Sequence, residues 1–273
     1  MKVAITGTSG LIGGALMRAL QKDGDEVIAI PRGGSDLGGA EAVVHLSGSP
    51  ITVRWNAQRK REIRVSRVLS TQRIADAIDA SKTPPRVFVC ASAIGFYGDR
   101  ASEVLTEKST AGDDFLAGVV REWELAARAT RVRSVQLRFG VVLSPDGGAL
   151  AKMLPVFRLG MGGRIATGAQ WMSWIGLHDL VRAIRFAIAS ADMNGAVNAV
   201  APGPVTNAEF TATMGRVLRR PAALPVPGFA LRALFGEGAA VMLASQRVIP
   251  ERLHKAGFEF EDPTLEGALR REL

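Results

Sequence analysis

One cysteine, one tyrosine and three histidines are all that the 273 residues hold of these types. The cysteine, Cys90, lies inside an apolar run, so neither a disulfide framework nor a cysteine metal cluster can form, and no metal site is expected. The most apolar late stretch, Phe229–Ala244, is interrupted by Arg232 and Glu237 and cannot span a bilayer. Aromatic residues make up 6% of the chain, and no aromatic-rich basic stripe accompanies its net charge of +8. Basic residues alternate with acids, as in Arg61-Glu62, Arg121-Glu122 and Arg271-Glu272, which reads as a solvated surface rather than a nucleic-acid face. The chain opens directly on a strand-like run, with no leader pattern. A cytoplasmic monomer or homodimer is expected, with a small-molecule substrate and neither nucleic acid nor membrane as partner.

What is present begins at once. Apolar residues make up 47% of the sequence, enough for a sizeable core in one large domain or in a nucleotide domain with a small appendage. Val3, Ala4 and Ile5 form a run too short for a helix and suited to a buried strand. Thr6 and Gly7 end it, Gly7, Gly10 and Gly13 follow at three-residue intervals, and the apolar period then becomes helical at Leu11, Ala15, Leu16, Ala19 and Leu20. Strand, glycine turn and helix in that order form a phosphate site: the helix N-terminus offers unpaired N–H groups and a positive dipole end, and absent side chains let a pyrophosphate approach. Glu26–Ile30 reads as the second parallel strand. Its tip is Pro31-Arg32, and the first acid, Asp36, lies beyond two glycines. An acid at that tip bonds the ribose hydroxyls, whereas an arginine accepts a 2′-phosphate, so the cofactor expected is NADP(H).

Further strands are expected over Ala42–Leu46, over Arg86–Cys90 running on toward Tyr97, over Val132–Leu143 as the sixth strand, and over Ala196–Ala201. His45 falls inside a strand and reads as a buried, hydrogen-bonded histidine. Arg54–Ala80 reads as one long helical pattern and Asp114–Ala129 as another helix, while Thr206 and Glu209 stand at capping-box spacing.

TGxxGxxG at the N-terminus resembles the short-chain dehydrogenase/reductase superfamily, especially its extended, epimerase-like branch. The run over residues 54–78, with Arg54, Trp55, Lys60, Glu62, Ile63, Ser66, Arg67 and Thr71, resembles a narrower atypical group often labelled sugar-nucleotide epimerase-like or cell-division inhibitor. So does Ser245–Pro250 in the last stretch. The resemblance implies an α/β fold: a doubly wound parallel (Rossmann) sheet over residues 1–200, with a small helical substrate-side domain over 201–273. It implies that Leu46, Ser47 and Gly48 pack beside the adenosine and that Glu62 and Arg67 reach the cofactor from the facing side. The expected cofactor site comprises Gly7, Ser9, Gly10, Leu11, Ile12, Gly13, Pro31, Arg32, Leu46, Ser47, Gly48, Glu62, Arg67 and Ala91. Ser92 and Tyr97 are the catalytic candidates. Ser92 is expected either to bond a substrate oxygen or to hold backbone in the turn at Gly95.

Two departures from the superfamily bear on chemistry. Its proton-transfer unit is a Tyr-xxx-Lys pair, whose lysine lowers the tyrosine's pKa, but the helix in question offers Leu116 and Val120. The epimerases' asparagine for a sugar nucleotide's phosphates follows an Arg-Tyr-Phe run, and here Arg138-Phe139-Gly140 leads to Val141. The function expected is an NADP(H)-dependent oxidoreductase acting on a small carbonyl or hydroxyl compound other than a UDP-sugar. The alternative is a non-catalytic NADPH-binding protein in regulation or division.

Overall fold

Short branched-apolar runs alternating with amphipathic segments build parallel strands joined by helices, because a strand buried on both faces needs a helical crossover to return. The computed structural model describes the whole chain, residues 1–273. Its first half runs β1 (Lys2–Thr6), α1 (Leu11–Lys22), β2 (Glu26–Ile30), β3 (Ala42–His45), α2 (Ala57–Val65), α3 (Val68–Ala80), β4 (Val87–Ala93), β5 (Val104–Leu105) and α4 (Phe115–Arg128). There follow β6 (Arg133–Phe139), β7 (Val141–Leu143), α5 (Gly148–Arg158), β8 (Trp171–Met172), β9 (Trp174–Gly176), α6 (Leu177–Ala189) and β10 (Gly195–Ala199). The chain closes with β11 (Val205–Thr206), α7 (Asn207–Leu218), α8 (Gly228–Phe235), α9 (Ala240–Leu243), β12 (Arg247–Val248), α10 (Glu251–Lys255) and α11 (Leu265–Glu272).

Six strands form one parallel sheet in the order β10-β6-β4-β3-β1-β2. The strand order reverses between β1 and β3, and in open α/β sheets that switch point opens a crevice at the carboxyl ends of the strands. One face packs on α1 and α6 through Val3, Ile5, Leu16, Leu20, Val44, Val89, Leu180 and Ile184. The other packs on α3 and α4 through Val43, Ile74, Ile78, Phe88, Cys90 and Trp123. The doubly wound fold read from the sequence is therefore present. A third core, around Trp174 and Phe210, joins α5, α7 and α11.

Three sequence expectations change in detail. The helix read over Arg54–Ala80 is two helices. The Ser66 hydroxyl and the Arg67 guanidinium both donate to the Ile63 carbonyl, at 3.1 and 3.3 Å, and so compete with the intrahelical ladder at that point. The strand read over Val132–Leu143 is also two. The sheet strand ends at Phe139; a Cβ on Gly140 would sit 2.6 Å from the Ser173 carbonyl oxygen, and β7 then pairs with β9. In chain order it is the fifth strand of the sheet rather than the sixth. The capping box is as read: Thr206 accepts from the Glu209 N–H, and the Glu209 carboxylate accepts from the Thr206 N–H.

Beneath the β1–α1 turn, His45 joins two strands to a helix. The Thr6 hydroxyl lies 2.7 Å from its Nδ1, and its Nε2 lies 3.2 Å from Ser70 Oγ. Ser70 already donates to the Ser66 carbonyl, so Nε2 donates and Nδ1 accepts, the neutral tautomer. Burial pushes the imidazole down to about 4. As pH falls below about 6.5, the unfolded chain takes up a proton that native His45 refuses until about 4. Between pH 7 and pH 4.5 this one group should remove about 2–3 kcal/mol of stability. Denaturant titrations of the protein and of His45→Gln at those two pH values check this: the variant should lose less stability on acidification by that amount.

Candidate functional site

The crevice at the β1/β3 switch is built from backbone. Gly7 takes φ +76°, and a Cβ there would come within 3.0 Å of the Leu46 carbonyl carbon and 3.2 Å of the Ser47 nitrogen. A Cβ on Gly13 would meet the Gly7 carbonyl oxygen at 2.2 Å, so only glycine lets α1 start this close to the turn. Gly10 donates to the Gly7 carbonyl at 3.0 Å and caps α1 without a side chain. The N–H groups of Leu11, Ile12 and Gly13 then have no acceptor within the protein, since the carbonyls one turn back lie outside the helix and receive none of them. Ser9 and Gly10 are exposed beside them. The arrangement offers three aimed donors and a dipole end to an anion.

Facing this turn, Ser47 and Gly48 follow β3, and the Arg67 guanidinium lies against Gly48, 3.4 Å from where a Cβ would stand. Arg67 donates to the Ser49 carbonyl at 3.0 Å and lies 5.4 Å from the Trp123 ring. It has no carboxylate partner, and burial pushes it down to about 10. A half-buried cation in that condition favours an anion beside it. Glu62 is placed differently from Arg67: its carboxylate is engaged along its own helix by Gln58 at 3.0 Å and Arg59 at 2.7 Å. At the end of β2, Pro31 and Arg32 are exposed, and Arg32 forms no ion pair. Arg73 of α3 reaches the same place, within 3.9 Å of a Cβ on Gly33. Ala91 is buried in β4, beside Leu137 of β6.

Ser92 and Tyr97 are brought together, but in a buried polar network rather than on an open face. The Ser92 hydroxyl donates to Glu124 Oε1 at 2.7 Å, and Arg138 makes a two-pronged pair with the same carboxylate at 2.7 and 2.9 Å. Arg138 also donates to the Tyr97 oxygen at 2.9 Å, and the Tyr97 hydroxyl donates to Asn198 Oδ1 at 2.7 Å. Tyr97 has no exposed surface, and burial holds its phenol above the ordinary value, the wrong direction for proton exchange near neutrality. Its hydroxyl has a structural partner on each side, which argues against the catalytic expectation for Tyr97. For Ser92 the turn-backbone expectation is not what is seen, since its hydroxyl donates to a carboxylate. Cys90, next to it, has its thiol pushed up to about 12 by burial and is inert.

The NAD dependent epimerase/dehydratase family matches residues 3–200, and a domain of unknown function, DUF1731, matches residues 226–272. The chain belongs to the NAD dependent epimerase/dehydratase family. It is 37% identical over 289 residues to the human epimerase family protein SDR39U1, with 99% of each chain covered. To the chloroplastic SDR39U1 homolog of Arabidopsis thaliana it is 40% identical over 298 residues, covering 99% of this chain and 86% of the plant protein. The crystal structure of the human protein (isoform2) with NADPH matches with a TM-score of 0.94 at 35% identity, covering 100% of this chain and 99% of that one.

Within this epimerase/dehydratase fold, the face of α4 that carries Tyr-xxx-Lys in the wider superfamily bears Leu116 and Val120, and one turn further on Glu124. Leu116 packs under the Gly95 turn, 3.8 Å from a Cβ there. Sequence reasoning missed Glu124, Asn198, Arg73 and Gln246. The Gln246 amide donates to the carbonyls of Ile94 and Gly98 and so fixes the turn after β4. An arginine inside an apolar strand, Arg138, was the available signal, because a buried charge demands a partner.

The network makes a stability prediction. Glu124 and Arg138 side chains are each 3% exposed, so Glu124→Ala strands a buried guanidinium and should cost about 3–5 kcal/mol. Ser92→Ala removes one hydrogen bond to a charged group and should cost about 1.5–3 kcal/mol. Urea unfolding midpoints of the two variants test both the order and the size.

Proposed function

We propose that this chain binds NADP(H) in the β1/β3 crevice and acts in the cytoplasm as an oxidoreductase on a small carbonyl or hydroxyl compound that is not a UDP-sugar. The observation that carries the cofactor reading is the set of three N–H groups, of Leu11, Ile12 and Gly13, left without acceptors behind a glycine turn that no side chain can enter. The residues fit the group. Those amides suit the pyrophosphate, Leu46, Ser47 and Gly48 suit the adenosine side, and Arg67 supplies a cation with no carboxylate partner. Arg32 and Arg73 at the end of β2 favour a 2′-phosphate over bare ribose hydroxyls. NADPH in the human relative's structure supports the same choice. When bound, the nicotinamide supplies two-electron redox chemistry.

The chain's own residues bind and orient. Glu124, Arg138 and Gln246 hold the end of β4 and the turn after it, and the Ser92 oxygen keeps a lone pair free while its proton is directed at Glu124. No tyrosine and lysine are placed to exchange a proton, which argues against sugar-ring epimerisation. A second reading, a non-catalytic NADPH-binding protein, is favoured by one specific observation: the Ser92 and Tyr97 hydroxyls both donate to buried protein groups.

Calorimetric titration tests the cofactor reading. Arg32→Ala should weaken NADPH binding by roughly 1.5–3 kcal/mol and leave NADH little changed, with Arg73→Ala acting in the same direction. Equal losses for both nucleotides would remove the 2′-phosphate assignment. A screen of carbonyl compounds for NADPH oxidation separates the two functional readings. Incubation with UDP-glucose or UDP-galactose should give no ring inversion.

A further inference from the structure

A cavity of about 780 Å³ lies apart from the cofactor crevice, on the outer side of α4, between that helix, the loop at Glu107 and Lys108, the start of β10, and α10. None of the cofactor residues above lines it. We propose that this groove is a second ligand site, taking a small organic polyanion with two or more phosphate or carboxylate groups.

Charge carries the argument. Lys108, Arg121, Arg128, Arg138, Arg252 and Lys255 line the groove against Glu107, Glu124 and Glu251. Two of the acids are fully engaged: Glu124 is held by Arg138 and by Arg128 at 3.0 Å, and Glu251 is paired with Lys255. Glu107 accepts from the backbone N–H groups of Asn198 and Arg252 through Oε1, while its Oε2 is buried without a partner, so the six lining cations still outnumber the three acids. The cations are not all engaged in return. The Arg252 guanidinium is fixed on the carbonyls of Asn194 and Ala196, at 2.6 and 2.7 Å, with no carboxylate. The side chains of Lys108 and Arg121 have neither hydrogen bond nor ion pair within the protein. These groups come from four elements distant in sequence and converge on one concavity, where low-dielectric walls focus a positive field.

Guanidinium forks match phosphate and carboxylate oxygens, and two free cations above a fixed third ask for more than one anionic group. The volume falls within the range of small-molecule sites, about 300–1,000 Å³, and a lone inorganic ion would leave most of it open. Leu125, 64% exposed, and Phe96, with Arg138 at 3.5 Å from its ring centre, offer apolar surface to a carbon skeleton.

The test titrates the intact protein with phosphoenolpyruvate and with citrate at about 150 mM salt, where weak surface pairing is screened. It is repeated on Lys108→Ala/Arg121→Ala, whose exposed side chains leave the fold and the NADPH crevice untouched. The proposal expects one site per chain, with a Kd below about 1 mM for at least one probe. The double variant should bind at least about tenfold more weakly while its NADPH affinity is unchanged. Binding of phosphoenolpyruvate alone would assign a phosphate ester, and of citrate alone a polycarboxylate. The proposal is overturned by no saturable binding of either probe, by equal affinity in the double variant, or by competition with NADPH that the double variant retains.

Discussion

A carboxylate and a guanidinium buried together, Glu124 and Arg138, tie more of this molecule than any other contact. Through them α4 is bonded to β6, through Ser92 to β4, and through Tyr97 and Asn198 to the turn after β4 and to β10. Taking two charges out of water is costly, and the cost is recovered only where geometry is good and the remaining donors and acceptors are met. Here they are met: both carboxylate oxygens accept from Arg138, and Arg128 and Ser92 complete the shell. The network sets the separation of α4 from the sheet at the strand ends, which is where the fold presents a ligand.

The crevice on the other side of β4 rests on a different constraint, the removal of side chains. Gly7 and Gly13 let the first turn of α1 lie against the end of β1 and the start of the loop after β3. Below that turn, Thr6, His45 and Ser70 fix the two strands and α3 in register with one another. A neutral, buried imidazole does this without bringing a charge near the phosphate site. Arg67, a cation with no carboxylate partner, stands on the opposite wall.

How much of this was legible follows from how local each feature is. The strand–turn–helix at the N-terminus, the capping box at Thr206 and the helix beginning at Asp114 depend on residues within a few positions of one another, and the sequence states them. The break between α2 and α3 was not legible, because Ser66 and Arg67 fit a helical period and end the helix only by reaching back to Ile63. The break at Gly140 follows from the Ser173 carbonyl, far along the chain. Ser92 was legible as a buried hydroxyl at a strand end, but its partner lies 32 residues on, and only the tertiary fold says which acid that is.

The two halves of the expected function therefore separate physically. The groups proposed for cofactor binding are backbone amides, glycines and cations carried by β1, α1, the end of β2 and the α2–α3 break. Proton transfer in the wider superfamily draws on side chains of a single helix, the counterpart of α4. Replacing that pair by Leu116 and Val120 removes acidic chemistry without disturbing a single group of the phosphate cradle. The next turn of the same helix carries a charge inward at Glu124, which bonds Arg138 of β6 and Ser92 of β4. Because the phosphate-facing turn and the Tyr-xxx-Lys helix are different elements of one fold, a change in one leaves the geometry of the other in place.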